Sequence, residues 1–177
     1  MKLFFLFLSI IFFISCTEDK IQPQLQNQVG TEELPSHESW SSKITFTEFG
    51  KLKAVLFSNH LKKYDIKRAT YLEGVKINFY SDQKIVSTLT SKRGRVDDVT
   101  QDMYAIDSVV AVNDSGTVLT TSELKWRNND EKIITDKFVK IVSTKEIIEG
   151  YGLESDQQLR NYVIFNVTYS AVNSEKK

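Results

Sequence analysis

Leu89-Thr90-Ser91, Leu119-Thr120-Thr121 and Ile148-Glu149-Gly150 return about every 30 residues. A second pattern follows each of the first two: Met103-Tyr104-Ala105-Ile106-Asp107-Ser108-Val109-Val110-Ala111-Val112, then Ile133-Ile134-Thr135-Asp136-Lys137-Phe138-Val139-Lys140-Ile141. Self-similarity at a fixed period means one supersecondary unit stacked on copies of itself, each unable to bury its apolar face alone.

Outward from this ladder, runs of six to ten residues rich in Val, Ile, Thr, Phe and Tyr are separated by turn signals, the pattern of an all-β chain. Val75, Ile77 and Phe79 alternate with Lys76, Asn78 and Tyr80; Tyr104, Ile106, Val110 and Val112 share a face, as do Val163, Phe165 and Val167. Asn113-Asp114-Ser115-Gly116 and Asn128-Asn129-Asp130 supply turn chemistry, so consecutive strands are expected as antiparallel hairpins. Residues 59–72 could also carry a helix face. Their register with later copies, Leu56 and Leu61 matching Leu119 and Leu124, favours another degenerate hairpin. Such a stack leaves unpaired backbone at both ends, to be blunted or joined to a partner's strand.

The 177 residues, 41% hydrophobic and 26% charged, suit one globular domain. Equal counts of 23 basic and 23 acidic side chains argue against nucleic acid as a partner. Two prolines and seven glycines exclude a collagen-like or long low-complexity chain.

Lys2 followed by the apolar run Leu3 to Ile14 reads as a secretory signal. A helix of about 12 residues spans about 18 Å, short of the roughly 30 Å hydrocarbon layer. Phe13-Ile14-Ser15-Cys16 resembles the lipobox of bacterial lipoproteins, with Phe13 where leucine is preferred. Cys16, the only cysteine, cannot form an intramolecular disulfide; it is either an acylated anchor or a free thiol in an uncleaved signal. The expected organisation is a signal over 1–15, anchor and tether over 16–38 with Pro23 and Pro35, a β-domain over 39–169, and a polar tail over 170–177.

Leu89-Thr90-Ser91 leading to Val96-Asp97, Gly116 to Thr121 leading to Leu124-Lys125-Trp126, Ile133-Ile134-Thr135-Asp136 leading to Val139, and Ile148 to Asp156 together resemble the LptC family, with its relatives LptA and the amino-terminal region of LptD. The resemblance covers about Trp40 to Val167. It implies a folded-over antiparallel β-jellyroll of stacked hairpins, open at both ends, whose apolar interior cradles lipopolysaccharide acyl chains. It further implies that lipid arrives from LptF and LptG transporter subunits and leaves to LptA, the proteins joining edge to edge. Many members have a transmembrane helix; this chain departs from them in carrying Cys16 as a membrane anchor.

Candidates for the lipid-lining face are Val75, Ile77, Phe79, Val110, Val112, Leu124, Trp126, Val139, Ile141 and Phe165, though core packing wants the same apolar surface. Gly150 and Gly152 mark either a partner edge or a bulge, and an arginine at Gly150 is expected to weaken joining in a folded domain. Lys92, Arg93 and Arg95 either meet lipid phosphates or form a solvated edge. No cofactor or metal spacing is present, and His37 and His60 lack a recognisable catalytic partner, so an enzyme is not expected. The alternative is a lipoprotein scaffold that binds protein or glycan.

Mass spectrometry of the protein from its native membrane is expected to find an amino terminus at an acylated Cys16. An unmodified terminus upstream of that residue would exclude the anchor.

Overall fold

The structure, a computed structural model, describes residues 33–172. The signal, Cys16 and the tether up to residue 32 lie outside the described residues. Nine strands make one sheet in chain order: β1 His37–Glu48, β2 Lys51–Tyr64, β3 Ala69–Ser81, β4 Lys84–Asp97, β5 Met103–Asn113, β6 Val118–Arg127, β7 Lys132–Val142, β8 Glu146–Ser155 and β9 Tyr162–Val172. Every neighbouring pair is antiparallel. The 30-residue period is one hairpin: the first pattern falls on β4, β6 and β8, the second on β5 and β7. The ambiguous stretch 59–72 is the end of β2, a turn, and the start of β3.

Turn chemistry sets the hairpins. Phe49-Gly50 and Asp82-Gln83 each place two successive residues at positive φ, which matches the twist of the flanking strands. The Asn113 side chain accepts the N–H groups of Ser115 (3.0 Å) and Thr117 (2.9 Å), holding the β5–β6 turn.

The strands do not run straight. At mid-length the ladder is interrupted at one level right across the sheet. Ser41 (φ 53°) lies between the pairs Trp40↔His60 and Ser42↔Ser58. Gly74 (φ 61°) lies between Val75↔Ser91 and Glu73↔Arg93. Asp107 and Ser108 (φ 63° and 52°) lie between Arg93↔Ile106 and Thr90↔Val110. Register shifts at Thr121/Lys125 and Thr135/Phe138 and Gly152 (φ 75°) carry the line through β6, β7 and β8. Bulges and left-handed residues bend a strand and sharpen its twist, and aligned in a row they crease the whole sheet.

The crease brings opposite ends of the strands together. Lys53, at the start of β2, approaches Glu131 in the β6–β7 turn at 3.8 Å. Ser87 Oγ donates to the Gln157 carbonyl (2.7 Å), Asn113 Nδ2 to that of Gln158 (3.0 Å), and Arg160 pairs with Asp114 (2.7 Å). A straight strand of 12 residues would hold such ends about 40 Å apart. The sheet is therefore folded over itself, a β-jellyroll whose edge strands β1 and β9 have no further strand beside them among the described residues.

Inside the fold lie Leu56, Leu119, Leu124, Ile133, Val139, Ile141 and Leu153, all essentially shielded from water. The β8–β9 loop adds Leu159, 2% exposed at φ 52°, which plugs the margin between the ends of β4 and β5. Asp156 shapes this loop by accepting the N–H groups of Arg160 (2.9 Å) and Asn161 (3.1 Å). The loop thus closes the margin by a buried leucine, by hydrogen bonds from the buried Ser87 and Asn113, and by the exposed Arg160–Asp114 pair.

The two contributions are expected to separate. Leu159→Ala should cost about 2–4 kcal/mol, whereas Arg160→Ala, which removes an exposed ion pair, should cost about 1 kcal/mol or less, both read by urea unfolding.

Candidate functional site

The concave face of the folded sheet is built by alternation from every strand. Of the residues expected to line a groove, Val75, Ile77 and Phe79 on β3, Leu124 on β6, and Val139 and Ile141 on β7 face inward and are nearly fully buried. Trp126 packs against this core from the end of β6. Three others do not join them. Val110 and Val112 lie on the outer face, Val112 38% exposed, because β5 turns Met103, Ala105, Val109 and Ala111 inward. Tyr104, Ile106, Val110 and Val112 do share a face, but it is the outer one; alternation fixes which residues go together and not which set is buried. Phe165 is also outside, 63% exposed, laid over Gly152 while its neighbour Ile164 packs on the core.

Leu56, Leu119, Ile133, Leu153 and Leu159 were absent from the expected lining. The repeat contained the signal for some of them: Leu89 and Leu119 occupy equivalent positions, and both pair with Ala111. The residue opposite them, Ala111 and not Val112, therefore shares their inward face. Leu159 lies in a loop and follows no period.

One opening reaches the apolar interior at the margin of the fold. Phe46, Ala54, Phe79, Met103 and Trp126 line a cleft of about 230 Å³ between the first strands and the ends of β5 and β6. Its rim carries Glu48, Lys53 and Glu131, with Lys53 2.7 Å from Glu48 and 3.8 Å from Glu131. The hydrogen bond to Glu48 holds the Lys53 ammonium above its usual pKa. Nearby, Lys125 reaches the Asp102 carboxylate (2.7 Å), which also accepts the Asn128 N–H (3.0 Å). Desolvation pushes the Asp102 pKa up, but the pairing and N–H bonds outweigh it and leave the carboxyl below its ordinary range. These ties fix the floor of β5 to the β6–β7 turn beside the cleft.

A larger depression of about 810 Å³ beside the β8–β9 loop is lined by charged groups including Asp130, Lys132, Glu146, Glu154 and Arg160. Lys132 is paired with Glu154 and Arg160 with Asp114. Volume alone would favour it, yet hydrocarbon gains from apolar walls, and those are at the smaller cleft.

The two free edges differ. β1 carries Glu38, Lys43 and Glu48, whereas β9 has no charged residue over its 11 positions and exposes Val163, Phe165, Val167 and Tyr169. Gly150 and Gly152 belong to β8, one strand in from that edge. A Cβ on Gly150 would stand 2.4 Å from the Asn166 carbonyl oxygen and 2.8 Å from Ile164 Cγ2. An arginine there would force β9 off β8, so it would not leave the domain folded as the sequence suggested. Both glycines let β9 approach closely, and Gly152 additionally supplies the left-handed turn of the crease.

Other side chains singled out by sequence have structural partners. Arg93 pairs with Asp107 (2.6 Å) and Arg95 lies over the Tyr104 ring (4.3 Å), while Lys92 is exposed at the crease. His60 bonds Glu38 (2.7 Å) and stacks on Trp40 with ring centres 5.1 Å apart, contacts the sequence did not announce. Among the described residues no cluster of His, Cys, Asp or Glu is arranged to hold a metal.

No curated protein matches this chain. A family model described as lipopolysaccharide-assembly, LptC-related, matches residues 3–170. A creased nine-stranded sheet with an apolar interior, matched over nearly its whole length by that model, places the chain in the LptC family of lipopolysaccharide-assembly proteins.

Proposed function

We propose that this protein is the membrane-anchored periplasmic member of a lipopolysaccharide export bridge. It takes lipopolysaccharide from LptF/LptG-like subunits of an inner-membrane ABC transporter and passes it to an LptA-like partner. Val75, Ile77, Phe79, Leu124, Trp126, Val139 and Ile141 supply the wall along which acyl chains run, and the anchor is an acylated Cys16. The protein performs no bond chemistry; it exchanges one apolar surrounding of the chains for another.

The observation that carries this reading is the continuous apolar concave face, open between the first strands and the ends of β5 and β6 and closed by Leu159 near β9. In the closed form this interior is filled by the protein's own side chains. Burying a chain means parting the two halves of the sheet, and the crease is the line about which they part. The uncharged β9 is the edge suited to a partner strand, because unpaired backbone flanked by apolar side chains favours strand addition.

Two measurements test the reading. A photo-crosslinking residue at Phe79 should capture lipopolysaccharide in cells, while the same residue at Val112 should not. Capture at Val112 alone, with lipopolysaccharide transport intact after depletion, would support the scaffold alternative instead. At the proposed joining edge, Val163→Lys with Tyr169→Lys should weaken binding of an LptA-like partner by about tenfold or more while the melting temperature changes little, since both side chains are already half-exposed. Unchanged affinity would remove β9 from the interface.

A further inference from the structure

Trp126 packs against the apolar core and lines the cleft whose rim carries Glu48, Lys53 and Glu131. Its indole N–H is shielded from solvent and has no hydrogen-bond acceptor. Of the side chains lining the same space, Phe46, Ala54, Phe79 and Met103 carry no oxygen, and those of Thr47, Asn128 and Gln157 do not bond it. The rim groups Glu48, Lys53 and Glu131 are engaged with one another. A buried donor left without a partner forfeits its bond to water and gains nothing in return. Such a group is retained in a binding cleft when something else supplies the acceptor.

The position of the donor limits what that acceptor is. An acyl chain carries its linkage carbonyl at the boundary between headgroup and hydrocarbon, and the cleft has the same boundary, with charge from Glu48, Lys53 and Glu131 beside apolar walls of Phe46, Phe79 and Met103. At about 230 Å³ it is smaller than the roughly 300–1,000 Å³ of sites that enclose whole small molecules, so it takes a segment of chain and not a headgroup.

We propose that Trp126 is a specificity-determining donor: its Nε1–H recognises the ester or amide carbonyl at the head of an acyl chain seated in the cleft. This rests on the interior being a lipid groove and adds which part of the lipid it reads. The ring packs along the first methylenes as the N–H bonds the carbonyl, so the chain is held in one register as it enters. An ether-linked chain of equal length presents the same hydrocarbon with a much poorer acceptor.

The test compares two probes on the full chain by native mass spectrometry from detergent: 1-palmitoyl-lysophosphatidylethanolamine, with its ester, and the 1-O-hexadecyl ether analogue. The wild-type protein should prefer the ester by about fivefold, the range of one neutral hydrogen bond. Trp126→Phe, which keeps a ring and removes the donor, should bring the two lipids to near parity. Equal binding of both probes by the wild-type protein would overturn the inference without need of any variant, as would a preference that survives in Trp126→Phe. If the wild-type protein binds neither lipid, the inference fails together with the groove itself.

Discussion

The crease is the constraint on which the rest of the structure depends. A nine-stranded antiparallel sheet with apolar side chains on one face has no second layer to bury them against, and here no helix among the described residues supplies one. The chain resolves this by interrupting every strand at the same level. Residues at positive φ, Ser41, Gly74, Asp107, Ser108 and Gly152, stand where a regular strand would continue. Several are not glycine, so each carries some backbone strain. That strain is offset by the burial of Leu56, Leu119, Leu124, Val139 and Leu153 between the two halves.

Folding a sheet about a line leaves a margin where the strand ends face each other, and the margin is treated differently along its length. Towards β9, the loop after β8 drives Leu159 inward and ties its backbone carbonyls to Ser87 and Asn113. Towards β1, Lys53, held by Glu48 of its own hairpin, reaches across the gap to Glu131 at 3.8 Å, over a cleft walled by Phe46, Phe79, Met103 and Trp126. Exposed ion pairs contribute little and are readily exchanged for water, whereas withdrawing a leucine costs several times more. If the two halves part as proposed, the first strands would separate more readily than the last ones, and that asymmetry would give the interior a direction.

How much of this the sequence disclosed follows from what periodicity can encode. The 30-residue repeat reports the hairpin, because each copy must pair in the same register with the next; hence the all-β class and the antiparallel hairpin order were legible, while the folded-over sheet followed from the resemblance to the LptC family. Period-2 alternation reports only that residues share a face. On β5 both faces are apolar, and the structure buries Met103, Ala105, Val109 and Ala111 and leaves Val110 and Val112 outside; the deciding information was the pairing of Ala111 with Leu89 and Leu119. Phe165 was misplaced for the related reason that an edge strand has an apolar outer face as well. The glycines of β8 signalled a close approach correctly in kind, but the approaching backbone is β9 of the same chain. Leu159 and the pairing of His60 with Glu38 and Trp40 lie between elements that no local pattern connects.

The unequal edges extend the same reasoning to assembly. An exposed strand usually carries charge that discourages strand addition, and β1 does so with Glu38, Lys43 and Glu48. β9 omits it entirely over 11 residues, with half or more of the surface of Val163, Phe165, Val167 and Tyr169 open. Retaining such an edge is hazardous for a protein that works alone, since any chain with a free strand can add to it. The hazard becomes a use when a partner of the same architecture occupies the edge, because its sheet then continues the crease and its interior continues the apolar face. Under the proposed function, a sheet added at β9 would begin beside Leu159, so the side chain that closes the isolated domain would stand at the junction between the two interiors.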